Sequence, residues 1–293
     1  MKKAFIQLHI AVFLAGITGI LGKLITLNEG LLVWYRLLIT AITLWIIEAF
    51  RKKNNKISAK DALKIFGVGA VAATHWVTFY GSIKYANVSI ALVCFSAVGF
   101  FTAILEPLIF RKKINMRELL LGLLVIIGIY FIFHFDPGYK TGIIIGLISA
   151  LLASVFPIFN KILLQKISPE TVTVYELSGG FLFLTLMLPF YLKLSPAQYI
   201  FPTPNDWFWL LILSWLCTVV AFNLSMNALK KISAFTVNLT YNLEPVYGIL
   251  LAFIVLKENK YLNNGFYIGF ALIIFAIVLQ MISLYNTRKK SIS

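Results

Sequence analysis

The chain of 293 residues is very apolar and carries little charge for its length. Hydrophobic residues make up 60% of it and charged residues 13%, and the formal net charge is +15. An average soluble domain has about 45–50% apolar and about 25% charged residues, so this composition excludes a soluble enzyme and a disordered regulator. The basic residues lie in short segments between apolar runs, which argues against nucleic acid as a partner. We expect a polytopic helical membrane protein.

Ten apolar runs are long enough to cross a bilayer. About 20 apolar residues in a helix span the hydrocarbon core, and lipid offers no hydrogen-bond partner to an irregular backbone. The fold class is therefore all-α, with ten transmembrane helices. In chain order, spans 1 to 10 are predicted at Phe5–Leu24, Leu31–Phe50, Ala62–Tyr80, Val88–Phe110, Arg117–Phe135, Gly142–Leu164, Thr171–Phe190, Trp207–Leu229, Ala234–Leu256 and Leu262–Leu284. No convincing cleavage site follows the first run, so we interpret it as a retained span.

The basic residues predict the orientation of these spans. Of the 26 Lys and Arg residues, 24 lie in the tails, in the loops or at the ends of the spans, and 18 of these fall on the side that holds both termini. Short cytoplasmic loops carry the excess of Lys and Arg, so both termini are expected in the cytoplasm and the protein in the inner (plasma) membrane. Membrane lipids with acidic head groups are the expected partners of these loops.

The two halves of the chain show a weak internal repeat. Gly22-Lys23 resembles Asn160-Lys161 at an offset of 138 residues. We place a first five-helix repeat at residues 1–138 and a second at 139–293. Because five is an odd number, the second repeat must enter the membrane inverted relative to the first. Such 5+5 inverted repeats are typical of secondary transporters, whose substrate site lies near the midplane where the halves meet.

Several stretches at corresponding spans carry a family resemblance. They are the small-residue stretch Ala15–Gly19 before Gly22-Lys23, Tyr35–Leu38 in span 2, Tyr80–Ala86 before span 4, Asn227–Ala234 before span 9, and Leu243–Val246 continuing to Lys257-Glu258. On these residues the chain resembles the EamA type of the drug/metabolite transporter superfamily over essentially its whole length. The resemblance implies transport of small metabolites, amino acids or drugs, frequently outward. It departs from the family at Ser96–Val98, where Ser-Pro is frequent, and at Phe110-Arg111, where Gly-Glu is frequent.

Glu244 is the clearest candidate for a functional group inside the membrane. It is the eleventh of 23 residues in span 9 and so lies near the midplane. Stranding an ionisable side chain in lipid costs about 2.5–3.5 kcal/mol on insertion scales. Pro245 follows and weakens the helix by removing one backbone donor. We expect Glu244 to bind a substrate amine or a proton; a structural hydrogen bond of the protonated side chain stays open as the alternative.

Arg36 and Glu176 occupy related positions in the two halves. Each is the sixth residue of its span, about 9 Å inside opposite ends of the membrane at 1.5 Å per residue. They should therefore not form a resting salt bridge with each other. We expect Arg36 to bind an anionic substrate group or act in a gate, with snorkelling to the head groups as the alternative. Glu176 is a candidate for proton coupling or gating.

Two polar or aromatic pairs are predicted to face one cavity from opposite halves. Trp76 and Tyr80 lie on one face of span 3, and their counterparts at an offset of 147 residues are Asn223 and Asn227. An aromatic wall and a carboxamide wall suit a small organic substrate, whereas interhelical packing is the alternative. His75 beside Trp76 is a candidate proton-linked switch.

Span 9 continues this polar face towards Glu244. Asn238, Tyr241 and Asn242 recur at helical spacing, and we include Tyr241 in the substrate site. No metal-ligating motif, nucleotide-binding loop or catalytic constellation stands out, so no metal, cofactor or enzyme activity is expected. The GxxxG motifs at 142–146 and 265–269 permit close helix contact and leave a homodimer open. The predicted function is secondary transport; the alternatives are a lipid or lipid-linked sugar flippase and, less favoured, an intramembrane enzyme.

Overall fold

A computed structural model describes residues 2–51, 57–135, 137–241 and 243–290. Each of the ten predicted spans is helical in it, and no strand occurs within these ranges. The helices run Lys2–Leu24, Glu29–Arg51, Ala59–Tyr85, Val88–Phe95 with Val98–Phe110, Met116–Phe135, Lys140–Leu163, Pro169–Leu194, Pro204–Ser214 with Ala221–Lys231, Ala234–Tyr241 with Leu243–Leu251, and Asn264–Lys290. The predicted all-α, multi-pass architecture is confirmed.

Nine of the described helices are long and apolar enough to cross a membrane, and span 9 contributes the shorter apolar stretch Leu243–Leu256. Two spans contain π-helical turns, Trp215–Val220 in span 8 and Ala252–Leu256 in span 9. Span 4 is interrupted between Phe95 and Val98. The apolar runs in the sequence do not predict these irregular segments, because an α-helix and a π-helix in a membrane need the same apolar residues.

Polar residues cap the starts of several helices, close to the predicted starts of the spans. The side chains of Ser58, Asn87 and Ser168 accept hydrogen bonds from the first turns of spans 3, 4 and 7. Thr203 and Asp206 form a reciprocal capping box at the start of span 8. Such caps satisfy backbone N–H groups that have no partner within the helix.

Glycines bring the spans into close contact. A Cβ atom built on Gly69 of span 3 would lie 2.1 Å from the backbone oxygen of Glu176 in span 7. A Cβ atom on Gly269 of span 10 would lie 2.3 Å from the backbone oxygen of Gly128 in span 5. Gly146, in the other GxxxG motif, packs on Cys94 of span 4. Both predicted GxxxG motifs therefore contribute to packing within this chain.

For the two membrane sides we use two names: span 1 begins on the near side and ends on the far side. On the far side, polar side chains join the two halves of the chain. The backbone N–H of Thr26 donates to Asp206 Oδ1 at 2.7 Å, and the Tyr191 hydroxyl donates to the Glu29 carboxylate. These contacts connect the segment between spans 1 and 2 and the start of span 2 to spans 7 and 8.

A further carboxylate joins the halves at the start of span 4. Glu258, in the turn after span 9, accepts hydrogen bonds from the backbone N–H groups of Val88 at 3.0 Å and Ser89 at 2.8 Å. Its Oε2 also accepts from the Ser89 hydroxyl at 2.7 Å. An anion at a helix N-terminus is favourable because the free N–H groups point at it. On the far side, contacts of this kind connect first-half and second-half residues.

Candidate functional site

A central cavity lies where the spans of the two halves meet. Residues of spans 1, 2, 3, 4, 6, 8 and 9 line it. Its wall is largely apolar and carries several aromatic side chains. These are Trp76, Phe79, Phe95, Phe156, Phe222 and Tyr241. A mostly apolar cavity with a few placed polar groups is typical of small-molecule sites.

Arg36 is the cation of this cavity. It is 3% exposed, and its Nε donates to Thr218 Oγ1 at 2.7 Å while Nη1 donates to the Tyr80 hydroxyl at 2.9 Å. The guanidinium lies over the Trp76 ring, 4.0 Å from its centroid, a cation–π arrangement. These contacts hold the guanidinium in the protein, so it does not snorkel to the membrane surface.

The π-helical turn of span 8 helps to position Arg36. Within it the Thr218 hydroxyl donates to the Leu213 carbonyl at 2.8 Å and accepts from Arg36. The Cys217 carbonyl accepts a longer hydrogen bond, 3.4 Å, from Nη2 of Arg36. π-Helical turns are rare and occur frequently at functional sites, because they leave backbone groups available to other partners.

Glu244 lines the same cavity and is 5% exposed. Within the described ranges its carboxylate has no hydrogen-bond partner, and Arg36 is the charged group that acts on it. Tyr241 also lines the cavity. Pro245 is buried in the first turn of the helix Leu243–Leu251. Asn242 lies outside the described residues, as does the side chain of Asn238.

His75 lines the cavity and also joins span 3 to span 6. Its Nδ1 lies 3.0 Å from the Ser149 carbonyl oxygen and 2.8 Å from Ser149 Oγ. The Ser149 hydroxyl in turn donates to the His75 carbonyl at 3.1 Å. Because a carbonyl oxygen can only accept, Nδ1 carries the proton of this contact. The ring also packs near Phe95 and Phe156, with centroids 5.6 and 5.9 Å away.

Asn160 and Glu176 form a buried pair towards the near side. Both side chains are 0% exposed, and Asn160 Nδ2 donates to Glu176 Oε1 at 3.1 Å. Asn160 is also part of the cavity wall. Among the described residues, Asn160 Oδ1 and Glu176 Oε2 have no hydrogen-bond partner. Arg36 lies in the far-side part of span 2 and Glu176 in the near-side part of span 7.

The structure does not bring every predicted residue to the cavity. Tyr80 is fully buried behind Arg36, with its ring against Gly22. Asn223 lines a separate groove, and Asn227 donates to its side-chain oxygen at 2.7 Å. The face of span 8 in the cavity wall instead carries Phe222 and neighbours at helical spacing. The π-helical turn before it rotates the following helix, which an offset between repeats does not reveal.

Sequence reasoning missed several residues of the site. Thr218 and Phe222 carry no motif, and Phe156 is one of many aromatic residues in the spans. In the sequence Asn160 stands out only as the counterpart of Gly22 in the repeat, although carboxamides inside spans commonly hydrogen-bond across helices. Within the described part of the chain, no group of three His, Cys, Asp or Glu side chains could hold a metal ion.

Comparisons with known proteins agree with this architecture. A profile of the EamA-like transporter family matches residues 2–134 and 140–282, one match in each half. A protein of Haemophilus influenzae named an uncharacterized transporter is 25% identical over 271 residues, covering 87% of this chain and 86% of that protein. The uncharacterized transporter YetK of Bacillus subtilis is 26% identical over 296 residues, with 95% and 87% covered.

A solved protein structure shares the fold over nearly the full length. It matches with a TM-score of 0.71 at 14% sequence identity, covering 98% of this chain and 99% of that one. At this identity the match supports the helical arrangement and carries no information on the substrate.

Proposed function

Because this chain belongs to the EamA-like transporter family, we propose that it is a secondary transporter of small organic solutes such as amino acids. The transported solute occupies the central cavity, and access alternates between the two sides of the membrane. The observation that supports this function most directly is the buried Arg36 guanidinium in the wall of an aromatic cavity. Within the described residues, no carboxylate lies at salt-bridge distance from it.

The charges of the cavity favour a substrate that carries both an anionic and a cationic group. A buried guanidinium is costly unless an anion compensates it, and a carboxylate can accept two parallel hydrogen bonds from its fork. Glu244 offers the matching acid for an ammonium group. The aromatic wall then takes the apolar remainder of the solute through contact area. Arg36 exchanges its present contact with Trp76 for the substrate on binding.

Two buried acids are available for coupling transport to protons. Glu244 and Glu176 can each carry a proton across part of the bundle, and intramembrane acids are the usual elements of proton relays. No nucleotide-binding loop occurs in the sequence, so a gradient of the solute or of protons drives transport. We propose transport and not catalysis, since the family that matches both halves of the chain is a family of transporters.

We place the protein in the inner (plasma) membrane with both termini in the cytoplasm, following the distribution of basic residues. The near side is then cytoplasmic. The cavity wall reaches Leu229 and Val237, at the near-side ends of spans 8 and 9, whereas Asp206 and Glu258 join the two halves on the far side. On these grounds we propose that this conformation faces the cytoplasm.

The test is uptake or release from vesicles that contain the purified protein and a panel of amino acids and related metabolites. We expect at least one zwitterionic solute to be transported, with a rate that depends on pH between 5 and 8. Glu244→Gln keeps the size and hydrogen-bonding capacity of the side chain but removes its charge. It should reduce transport at least tenfold and abolish the pH dependence, at near-normal membrane abundance.

Glu118→Gln is the matched control, because Glu118 lies in the first turn of span 5 and outside the cavity wall. It should transport like the wild type. Transport of the solute by Glu244→Gln at the wild-type rate and pH dependence would contradict the role of Glu244. Movement of labelled lipids, with no transport of any solute of the panel, would instead support a flippase.

A further inference from the structure

An apolar groove runs along the membrane-facing surface between spans 3 and 6. Its wall is formed by Lys64, Gly67, Val68, Val71, Val155, Phe156, Phe159, Ile162 and Leu163. Lys64 is the only charged residue among these wall residues. It lies at the near-side end of the groove, and its side chain is 57% exposed. The rest of the wall is aliphatic or aromatic.

Gly67 makes the groove deep. A Cβ atom built on it would meet no atom within 4 Å, whereas one on Gly69 would collide with span 7. Glycine in a helix is about 1 kcal/mol less favourable than alanine. Packing between spans gives no reason for glycine at position 67, so the absence of a side chain there leaves space on the membrane-facing surface.

The length and direction of the groove match a lipid chain of the near-side leaflet. From Leu163 to Val155 it covers about 12 Å along span 6, at 1.5 Å per residue, close to the half-thickness of about 15 Å of the hydrocarbon core. Its charged end lies towards the near-side head groups, and its apolar end lies near the midplane. A lysine at that level extends its stem along apolar surface and keeps its ammonium at the head groups.

We propose that this groove binds an anionic phospholipid of the near-side leaflet, with its head group at Lys64 and one acyl chain over Gly67. Asp61 lies 3.8 Å from the Lys64 ammonium, but Asp61 Oδ2 also accepts from the Ser58 hydroxyl at 2.7 Å. Lys60, on the same exposed turn, adds a second positive charge. The local excess of positive charge favours an anionic head group over a zwitterionic one.

The deep end of the groove touches the substrate cavity. Phe156 belongs to the walls of both, and its ring lies 5.9 Å from the His75 ring, centroid to centroid. The end of the bound acyl chain is therefore separated from the central cavity by one side chain. Lipid binding itself does not depend on the proposed transport function and is measured without it.

The test uses the full-length protein in lipid nanodiscs with a phosphatidylglycerol that carries a photoreactive group on its acyl chain. After irradiation, mass spectrometry should find the label concentrated on peptides that contain Val68, Val71 and Phe159. Gly67→Leu places a branched side chain in the groove, on a Cβ position that has no neighbour within 4 Å, and should reduce this labelling at least fivefold. Ala271→Leu, which adds the same side chain at an exposed position of span 10, should leave it unchanged.

A second arm tests the head group. The same photoreactive chain on phosphatidylcholine should label the groove several-fold less than on phosphatidylglycerol, and Lys64→Gln should bring the ratio close to one. Equal labelling of the whole membrane-facing surface, or undiminished labelling of the groove in Gly67→Leu, would overturn the site. Equal labelling by the two lipids in the wild type would overturn the preference for an anionic head group.

Discussion

Two ionisable residues in opposite leaflets differ in how their hydrogen bonds are satisfied. Arg36 donates to Thr218 and Tyr80 and stacks on Trp76, so its guanidinium is held in the cavity wall without an acid. Glu176 accepts one hydrogen bond from Asn160, and one buried oxygen on each partner stays unsatisfied within the described residues. A carboxylate at position 176 can only accept hydrogen bonds, whereas a protonated carboxyl group or an amide can also donate.

Substitutions of Glu176 should therefore separate hydrogen bonding from charge. Glu176→Gln keeps an acceptor for Asn160 and adds an amide donor, so the variant should melt no earlier than the wild type. Glu176→Ala leaves the buried Asn160 amide without a partner and should lower the free energy of unfolding by about 1–3 kcal/mol. Thermal melting of the purified variants measures both. Early melting of the Gln variant, at the temperature of the Ala variant, would show that Asn160 gains nothing from the added donor.

Span 3 shows at the scale of a helix how two glycines two residues apart can have opposite surroundings. Gly69 faces span 7, where its missing side chain allows backbone contact with Glu176 and Gly180. Gly67 faces the membrane and an open groove. Helix propensity treats the two positions alike, so only the packing partner distinguishes them.

Alanine at these two positions should have opposite effects. Gly69→Ala places a methyl group 2.1 Å from a backbone oxygen of span 7. Because a backbone oxygen can move only with its helix, spans 3 and 7 should separate. Membrane abundance should then fall severalfold. Gly67→Ala meets open space and should raise stability by up to about 1 kcal/mol. Abundance and thermal melting of the two variants, compared side by side, give the answer. A Gly69→Ala variant as stable as Gly67→Ala would contradict the close packing of spans 3 and 7.

At the scale of the whole molecule, two carboxylates on the far side join the two halves. Glu258 binds the start of span 4, and Asp206 binds Thr26. In the alternating-access cycle proposed above, the far side opens when these contacts break, since they connect first-half to second-half residues. The near side carries Lys161, whose ammonium donates to the carbonyls of Leu229 and Ile232 within the second half.

Weakening the contact at Glu258 should favour opening of the far side. Glu258→Gln replaces one acceptor oxygen by an amide donor, which cannot accept from the N–H groups of span 4. Cys217 in the cavity wall then reports opening through its reaction with a membrane-impermeant maleimide. In right-side-out vesicles the variant should react several-fold faster than the wild type.

The control for that experiment is Glu258→Gln combined with Cys217→Ser. Cys94 is buried outside the cavity wall, so the double variant should show only slow background labelling. An unchanged rate for Cys217 in the single variant would show that Glu258 does not restrain the far side.

The proposed orientation has its own test. A cysteine at position 291, outside the described residues, should not react with an impermeant reagent in intact cells and should react after permeabilisation. The physical reason is that short basic loops stay on the cytoplasmic side. Labelling in intact cells would reverse the orientation or change the number of spans.

Features that depend on neighbouring residues in the chain could be predicted from the sequence, and features that depend on distant segments could not. Hydropathy is a local property and the bilayer sets the length of a helix, so all ten spans, the all-α class and the family were predictable from apolar runs and short motifs. The same argument placed Arg36 and Glu244 inside the membrane, because depth depends only on the position within a span. Both line the cavity wall in the structure.

Only the tertiary structure determined which cavity or neighbouring span each side chain faces. Asn223 was predicted to face Trp76, but it lies in a separate groove beyond a π-helical turn. That turn changes the rotation of span 8 without changing its apolar pattern. The pairing of Asn160 with Glu176 and the open surface at Gly67 likewise depend on which neighbouring span is in contact. Helix rotation and packing partner are set by contacts between segments far apart in the chain, and a local pattern does not encode them.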